Sequence, residues 1–303
     1  MRRHLLSLWD LSSREIHELI ARAEVMKRQW KEGTFEPRRK GSVLGLFFTK
    51  PSTRTRVSFE AAMYRLGGQC IFTTSQDSQV CRGEALSDMA RVLSRYVDAL
   101  VVRTYAQEEI EELAAHADIP VINGLTDLYH PCQVLSDLLT VKEKRGSLED
   151  LHSVWVGDGN NMAHSWMNAA AIMGFTLTVS CPVGYEPDRA VLEKARKGNG
   201  KILMEPDPRK AVAAADFINT DVWASMGKED EAEERRKAFR PYRVNGELLE
   251  AAPPHALVLH CLPAHRGEEI AGEVLDGPRC AAFDQAENRL HLQMALLDWL
   301  LET

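Results

Sequence analysis

Thr53-Arg54-Thr55-Arg56 alternates two hydroxyl side chains with two guanidinium groups, directly after Ser52. The run lies between two different apolar patterns. Upstream, Ser42–Thr49 reads as a buried strand. Downstream, Val57–Leu66 carries apolar residues at helical spacing. Ser52, Thr53, Arg54, Thr55 and Arg56 therefore stand where a helix begins. Free backbone N–H groups, the positive helix end, hydroxyl donors and a guanidinium fork would converge there, which is the chemistry of a small phosphate site. The plainer reading of the same residues is a well-capped surface helix.

Other polar groups cluster just after apolar runs. Val101-Val102-Arg103 ends a run in an arginine. His130-Pro131-Cys132-Gln133 brings an imidazole and an amide to a helix start. Gly157-Asp158-Gly159-Asn160-Asn161, Asp221–Gly227 and His260–Arg266 each follow a strand-like run, and Glu287-Asn288-Arg289 lies just ahead of the last helical pattern. Each has a plain alternative. A strand-end arginine serves a surface ion pair, His130 a turn, Cys261 a buried apolar position, Asn160 and Asn161 a helix cap. The charged run Lys228–Lys237 reads most simply as a solvated helical face. The joint placement at strand-to-helix junctions is what points to a site, because a parallel α/β sheet gathers ligands at the carboxyl ends of its strands.

Two familiar chemistries do not fit. Gly157-x-Gly159 suggests a dinucleotide loop, but the third glycine position is Met162 and the following strand ends without a ribose-binding acid. No Walker A sequence occurs. His260, Cys261 and His265 lack paired-cysteine or HExxH spacing, so no metal and no cofactor are expected.

The elements that must position these residues alternate strand and helix. Strands are expected at Val43–Phe48, Cys70–Thr73, Ala99–Val102, Val121–Asn123, Ser153–Val156, Leu177–Ser180, Phe217–Thr220 and Leu257–His260, with helical patterns between them. A Ser12–Glu15 capping box opens a helix through Lys31. The amphipathic run Leu290–Leu301 forms the last helix. With 303 residues, two domains are expected, with a boundary near Lys142–Asp150. The fold class is α/β: two doubly wound domains, each a central, mainly parallel sheet flanked by helices, with an active-site cleft between them. The net charge of −7 argues against a nucleic-acid partner. The six cysteines form no CxxC pair and suit a reducing, cytoplasmic setting. Neither a leader nor a membrane span is expected. The uncharged stretch Gly159–Tyr185 is split at Gly174 into a buried helix and strand.

These residues resemble the ornithine carbamoyltransferase family over nearly the whole chain. Ser-Thr-Arg-Thr-Arg and His-Pro-x-Gln are shared across the aspartate/ornithine carbamoyltransferase superfamily. Lys50 before the first motif, Asp221 with Ser225-Met226-Gly227, and His260-Cys261-Leu262-Pro263 resemble the ornithine branch. The resemblance implies transfer of the carbamoyl group from carbamoyl phosphate to L-ornithine, giving L-citrulline and phosphate. Residues 1–146 would bind carbamoyl phosphate, with the helix 290–303 packing back on them, and 147–289 would bind ornithine. Ser52, Thr53, Arg54 and Thr55 would hold the phosphate. Gln79 would reach a neighbouring subunit's site. Arg103, His130 and Gln133 would bind the carbamoyl end, with Arg289 returning to it. Asn161, Asp221, Ser225 and Met226 would hold the amino-acid head of ornithine. Cys261 and Leu262 would line the meeting point of the substrates.

The resemblance further implies a homotrimer or a multiple of trimers, and a lid over ornithine at Met226–Tyr242. The catalytic set would be Arg54, Arg103, His130, Asp221 and Cys261. Either Cys261 or Asp221 could help to deprotonate the amine, and the sequence leaves both open. It equally leaves open arginine biosynthesis or the catabolic reverse direction. Alternatives are another acceptor (putrescine, N-acetylornithine or aspartate) or a silent binding paralogue.

Overall fold

A computed structural model describes residues 3–75, 83–224 and 231–302, the side chain of residue 232 excepted. The chain divides into two units. The first comprises Met1–Leu139 and Asn288–Thr303, the second Thr140–Glu287.

In the first unit the order is α1 (Ser13–Glu32), β1 (Val43–Phe48), α2 (Thr53–Arg65), β2 (Gln69–Thr74), α3 (Leu86–Leu93), β3 (Ala99–Arg103), α4 (Gln107–His116), β4 (Val121–Leu125) and α5 (Pro131–Arg145), which runs on past Leu139. The α1 start is the expected capping box. Glu15 N donates to Ser12 Oγ at 3.2 Å and Ser12 N to Glu15 Oε2 at 2.9 Å. Gly33 closes the helix at φ 71°, a conformation that costs glycine little. The four strands pair in parallel in the order β2-β1-β3-β4. Phe47, Leu100, Val102 and Val121 from the sheet pack with Ile110 and Leu113 of α4. Strands apolar on both faces are what a sheet covered by helices on both sides requires.

The second unit continues with β5 (His152–Val156), α6 (Asn161–Met173), β6 (Thr176–Ser180), α7 (Arg189–Ala195), β7 (Lys201–Met204), α8 (Pro208–Ala211), β8 (Phe217–Thr220), α9 (Ala232–Phe239), α10 (Gly246–Ala251), β9 (Leu257–His260), α11 (Gly272–Leu275) and α12 (Ala282–Leu300), whose residues from Asn288 onward belong to the first unit. Its sheet is parallel in the order β7-β6-β5-β8-β9. Val154, Val156, Ile218 and Val258 anchor its core. Gly159–Tyr185 forms the expected buried helix and strand, divided at Gly174 in the left-handed region.

Three expectations need correction. β7 was not foreseen, because a four-residue edge strand opening on Lys201 shows neither alternation nor length. The last helix begins at Ala282 rather than 290, so Arg289 lies inside it. Nor is that helix amphipathic: Leu292, Met294, Ala295, Leu296, Leu297 and Leu300 are all fully buried, and so are Gln293 and Asp298.

In each sheet the strand order reverses beside its first strand. In the first unit β2 lies on one side of β1 and β3 on the other. In the second, β6 and β8 flank β5. Loops leaving adjacent carboxyl ends there diverge to opposite faces and leave a crevice. The loops concerned are 49–52 and 104–106 in one unit, and 157–160 and 221–224 in the other.

Candidate active site

The first unit presents the capped start of α2. Ser52, in extended conformation, is the N-cap of α2, and its Oγ accepts from Thr55 N at 3.2 Å. The capping bond uses the hydroxyl as acceptor and leaves its O–H free to donate outward. Thr53 and Arg54 follow as the first two residues of the helix and are exposed. Thr55 turns inward and is buried. The helix-cap reading and the anion reading of Ser52 are thus compatible in one geometry.

Behind this end lies a buried polar chain. Arg289 Nη2 donates to Thr55 Oγ1 at 3.0 Å, and its Nη1 donates to Gln133 Oε1. Gln133 Nε2 then donates to Asp137 Oδ1 at 2.8 Å. Arg103, at the end of β3, and His130, just before α5, are both buried. Burial, and then the charges of Arg289 and Arg103, lower the His130 pKa well below 6.5, so the imidazole is neutral at neutral pH. Thr55, Arg103, His130, Gln133 and Arg289 are therefore gathered in one place.

Lys50 pins the loops that carry these groups. It pairs with Asp127 of the β4–α5 loop, and its ammonium lies 4.0 Å from the Tyr105 ring centroid. Beside the α2 start opens a cavity of about 660 Å³, lined by Lys50, Ser52, Thr53, Arg56, Glu60 and Phe72 among others. It reaches the N-cap Ser52 but not Thr55, Arg103 or His130.

The second unit holds a carboxylate in place. Asp221 follows β8 and is 9% exposed. Its Oδ1 accepts from Val222 N at 2.8 Å and from the Cys261 thiol at 3.1 Å, and its Oδ2 accepts from Asn160 Nδ2 at 3.0 Å. Asn160 also caps α6, its Oδ1 accepting from Met162 N at 3.0 Å and Ala163 N at 3.3 Å. Asn161, the first residue of α6, is half-buried. Gly159 needs no bound nucleotide to explain it, since a Cβ there would stand 2.2 Å from Pro187 N.

Cys261 and Leu262 leave β9 half-buried. Leu262 sits at φ 58°, a left-handed conformation that branched side chains seldom adopt and that marks functional loops. His260 holds it. Leu262 N donates to His260 Nδ1 at 2.9 Å, so the ring hydrogen lies on Nε2 and goes to Glu269 Oε1 at 2.9 Å. His265 N donates to the same oxygen at 2.6 Å.

Among the described residues, two groups bring possible metal-ligand atoms within 4.8 Å of one another: Asp221–His260–Cys261 and His265–Glu268–Glu269. Asp221, His260 and Glu269 Oε1 are engaged in the hydrogen bonds given above, and Glu268 pairs with Arg236 at 2.9 Å.

Gln79, Ser225 and Met226 lie outside the described residues, as does the start of the expected lid. Sequence reasoning missed Asn160 as a carboxylate partner, Asp137 and Glu269. It also misread Arg235. Among the described residues of the run Lys228–Lys237, Arg235 is not on a solvated face, for it is 3% exposed and pairs with Asp158. Its local pair with Glu231 looks like any surface pair, and the partners that enclose it, Asp158 and Tyr185, are remote in sequence.

Residues 3–143 match the family model for the carbamoyl-P binding domain of aspartate/ornithine carbamoyltransferase. Residues 149–300 match that for the Asp/Orn binding domain. The two parallel sheets are thus those of the two domains of a carbamoyltransferase. The chain belongs to the aspartate/ornithine carbamoyltransferase family. It is 55% identical to ornithine carbamoyltransferase from Desulfotalea psychrophila, with 98% of this chain and 99% of that one covered. To the protein of that name from Syntrophus aciditrophicus it is 52% identical, covering 99% and 100%. The solved ornithine carbamoyltransferase of Pyrococcus furiosus superposes with a TM-score of 0.94 at 50% identity, covering 97% of this chain and 96% of that one.

Proposed function

We propose that this chain transfers the carbamoyl group of carbamoyl phosphate to the side-chain amine of L-ornithine, giving L-citrulline and phosphate. The observation that carries the acceptor assignment is the Asp221 carboxylate, fixed by three donors and facing Cys261. A nearly buried carboxylate with a fixed orientation suits the free α-ammonium of an amino acid and disfavours an acetylated one.

The residue roles follow from position and chemistry. Ser52, Thr53, Arg54 and Thr55 bind the phosphate at the α2 start, where helix dipole and guanidinium favour the charge that grows on departure. Arg103 and the neutral His130 donate to the carbamoyl oxygen as it gains negative charge, with Gln133 and Arg289 behind them. Asn161 and Asp221, with Ser225 and Met226, hold the ornithine head. The side-chain amine, with a pKa of about 10, must first lose a proton, to solvent or through Asp221 or Cys261. It then attacks the carbonyl carbon, a C–N bond forms, and the C–O bond to phosphate breaks. A second proton of the attacking nitrogen leaves with the phosphate as hydrogen phosphate. Cys261 and Leu262 border the reacting atoms. Holding both substrates in line supplies on the order of several kcal/mol of the acceleration.

The working assembly is a homotrimer or a multiple of trimers. Exposed Val57, Tyr64 and Ile71 on α2 and β2 support a subunit contact beside the α2 cavity, where a neighbour's Gln79 would complete the site. Among the described residues no helix is long and apolar enough to cross a membrane. The free thiols of the five described cysteines suit the cytoplasm.

The test is product identity. With carbon-labelled carbamoyl phosphate, label should enter citrulline from ornithine at least a hundredfold faster than it enters the carbamoylated products of putrescine, N-acetylornithine or aspartate. A preference for any of those three would overturn the acceptor assignment.

A further inference from the structure

Arg235 lies on α9, within a run of charged residues, yet its side chain is almost fully enclosed. Its Nη1 donates to Asp158 Oδ2 at 3.1 Å and to the carbonyl oxygen of Trp223 at 2.9 Å. Its Nε donates to Glu231 Oε2 at 2.9 Å, and its guanidinium lies 4.9 Å from the Tyr185 ring centroid. Asp158 comes two residues before Asn160 on the loop after β5, and Trp223 two residues after Asp221 on the loop after β8. One planar cation therefore spans the two loops whose tips meet where Asn160 Nδ2 donates to Asp221 Oδ2 at 3.0 Å.

The surroundings fix this bridge. Trp155 Nε1 donates to the carbonyl oxygen of Asp158 at 2.8 Å, holding that loop from the strand side. Trp223 stacks on Phe239 at 6.0 Å between centroids, and Phe239 meets Tyr185 edge-on at 4.8 Å. An ion pair so enclosed needs both partners, since removing one leaves a buried charge. A lysine could supply the charge but not a fork that serves a carboxylate, a carbonyl and a third acceptor at once.

We infer that Arg235 and Asp158 form a positioning pair for acceptor recognition, setting the spacing of the two loops that present Asn161 and Asp221 to the amino-acid head of ornithine. The pair touches no reacting atom. It acts through the loop backbones, and so governs ornithine affinity rather than carbamoyl phosphate affinity. The inference rests on the proposed role of Asn161 and Asp221.

The experiment compares the intact enzyme with Arg235→Gln, Arg235→Lys, Asp158→Asn, the Arg235→Gln/Asp158→Asn double variant and Asp221→Asn. KM and kcat are measured for each substrate, together with the thermal midpoint. Arg235→Gln and Asp158→Asn should each raise the KM for ornithine at least tenfold, with the KM for carbamoyl phosphate within twofold. The rise in ornithine KM should exceed the fall in kcat. Arg235→Lys should recover part of the loss, and the double variant should be no worse than the worse single one. If Arg235→Gln does not fold, the nearly isosteric Asp158→Asn reads the same effect. An ornithine KM within twofold of normal in both single variants, while Asp221→Asn raises it, would overturn the positioning pair alone. Proportionate rises in both KM values with a lowered midpoint would do the same, since that is the mark of a merely structural role. An unchanged ornithine KM in Asp221→Asn would instead overturn the site reading on which the pair depends.

Discussion

Cys261 donates its thiol hydrogen to Asp221 Oδ1 across 3.1 Å, joining residues that leave the ends of the neighbouring strands β9 and β8. A thiol spent as a donor to a carboxylate is poorly placed to act as a free nucleophile. In the proposed reaction Cys261 orders Asp221 and borders the carbonyl carbon, while ornithine attacks directly. Cys261→Ser should therefore keep measurable turnover, with kcat lowered by about ten- to a hundredfold, the scale of one altered hydrogen bond to a charged group. A loss on the order of a millionfold, as when a covalent nucleophile is removed, would contradict this. Steady-state citrulline formation by the variant decides between the two.

Arg54 stands exposed at the start of α2, aimed by the helix rather than by packing. Its removal should spare the fold and remove stabilisation of the leaving phosphate. Arg54→Ala is expected to lower kcat by about 10²–10³-fold, the usual effect of losing one preorganised donor to developing negative charge. Its thermal midpoint should stay close to that of the parent. Full turnover in this variant would remove the α2 start from the phosphate site.

His130 gives the pH dependence a definite sign. Burial and the Arg289 and Arg103 charges hold its folded pKa well below 6.5. Just below pH 6.5 the unfolded chain therefore takes up a proton that the folded chain refuses. The stability tied to a neutral His130 is complete above about pH 6.5 and is lost as pH falls towards the folded value. His4 and His152 are lowered in the same sense, so the informative quantity is a difference between proteins. The thermal midpoint of His130→Asn should fall less steeply than that of the parent between pH 7.5 and 5.5. Equal or steeper slopes would contradict the assignment.

Arg289 bridges Thr55 and Gln133, and a lysine cannot reproduce that fork. Arg289→Lys should lower kcat/KM for carbamoyl phosphate by about ten- to a hundredfold, the worth of one or two charge-assisted bonds. The KM for ornithine should stay within a few-fold. Initial rates with each substrate varied in turn test this, and an effect confined to ornithine would count against it.

What could be read from the sequence follows the physics of burial. Val43–Phe48 is a continuous apolar run and forms where expected, as does Phe217–Thr220, which the apolar pair Phe217-Ile218 opens. Ser12 with Glu15, and Asn160 before α6, carry cap chemistry that acts locally and is visible locally. The start of α12 was hidden because Gln285, Asn288 and Arg289 put polar side chains at buried helix positions. Each has a remote partner: Gln285 accepts from His260 N, Asn288 from Lys27, and Arg289 donates to Thr55. Arg235 escaped for the same reason, since a charge paired with Asp158 across the fold looks solvated in a one-dimensional pattern. The candidate residues stand out by type and motif, whereas the partners that hold them depend on which loops the strand order brings together.

The central claim is direct transfer between two bound substrates, and one measurement tests it most closely. Phosphate and citrulline are followed together after carbamoyl phosphate is mixed with a substrate-level amount of the protein, with and without ornithine. The account predicts that phosphate release above the spontaneous rate requires ornithine and matches citrulline one to one. A phosphate burst equal to the protein concentration without ornithine, or phosphate released without citrulline, would contradict it.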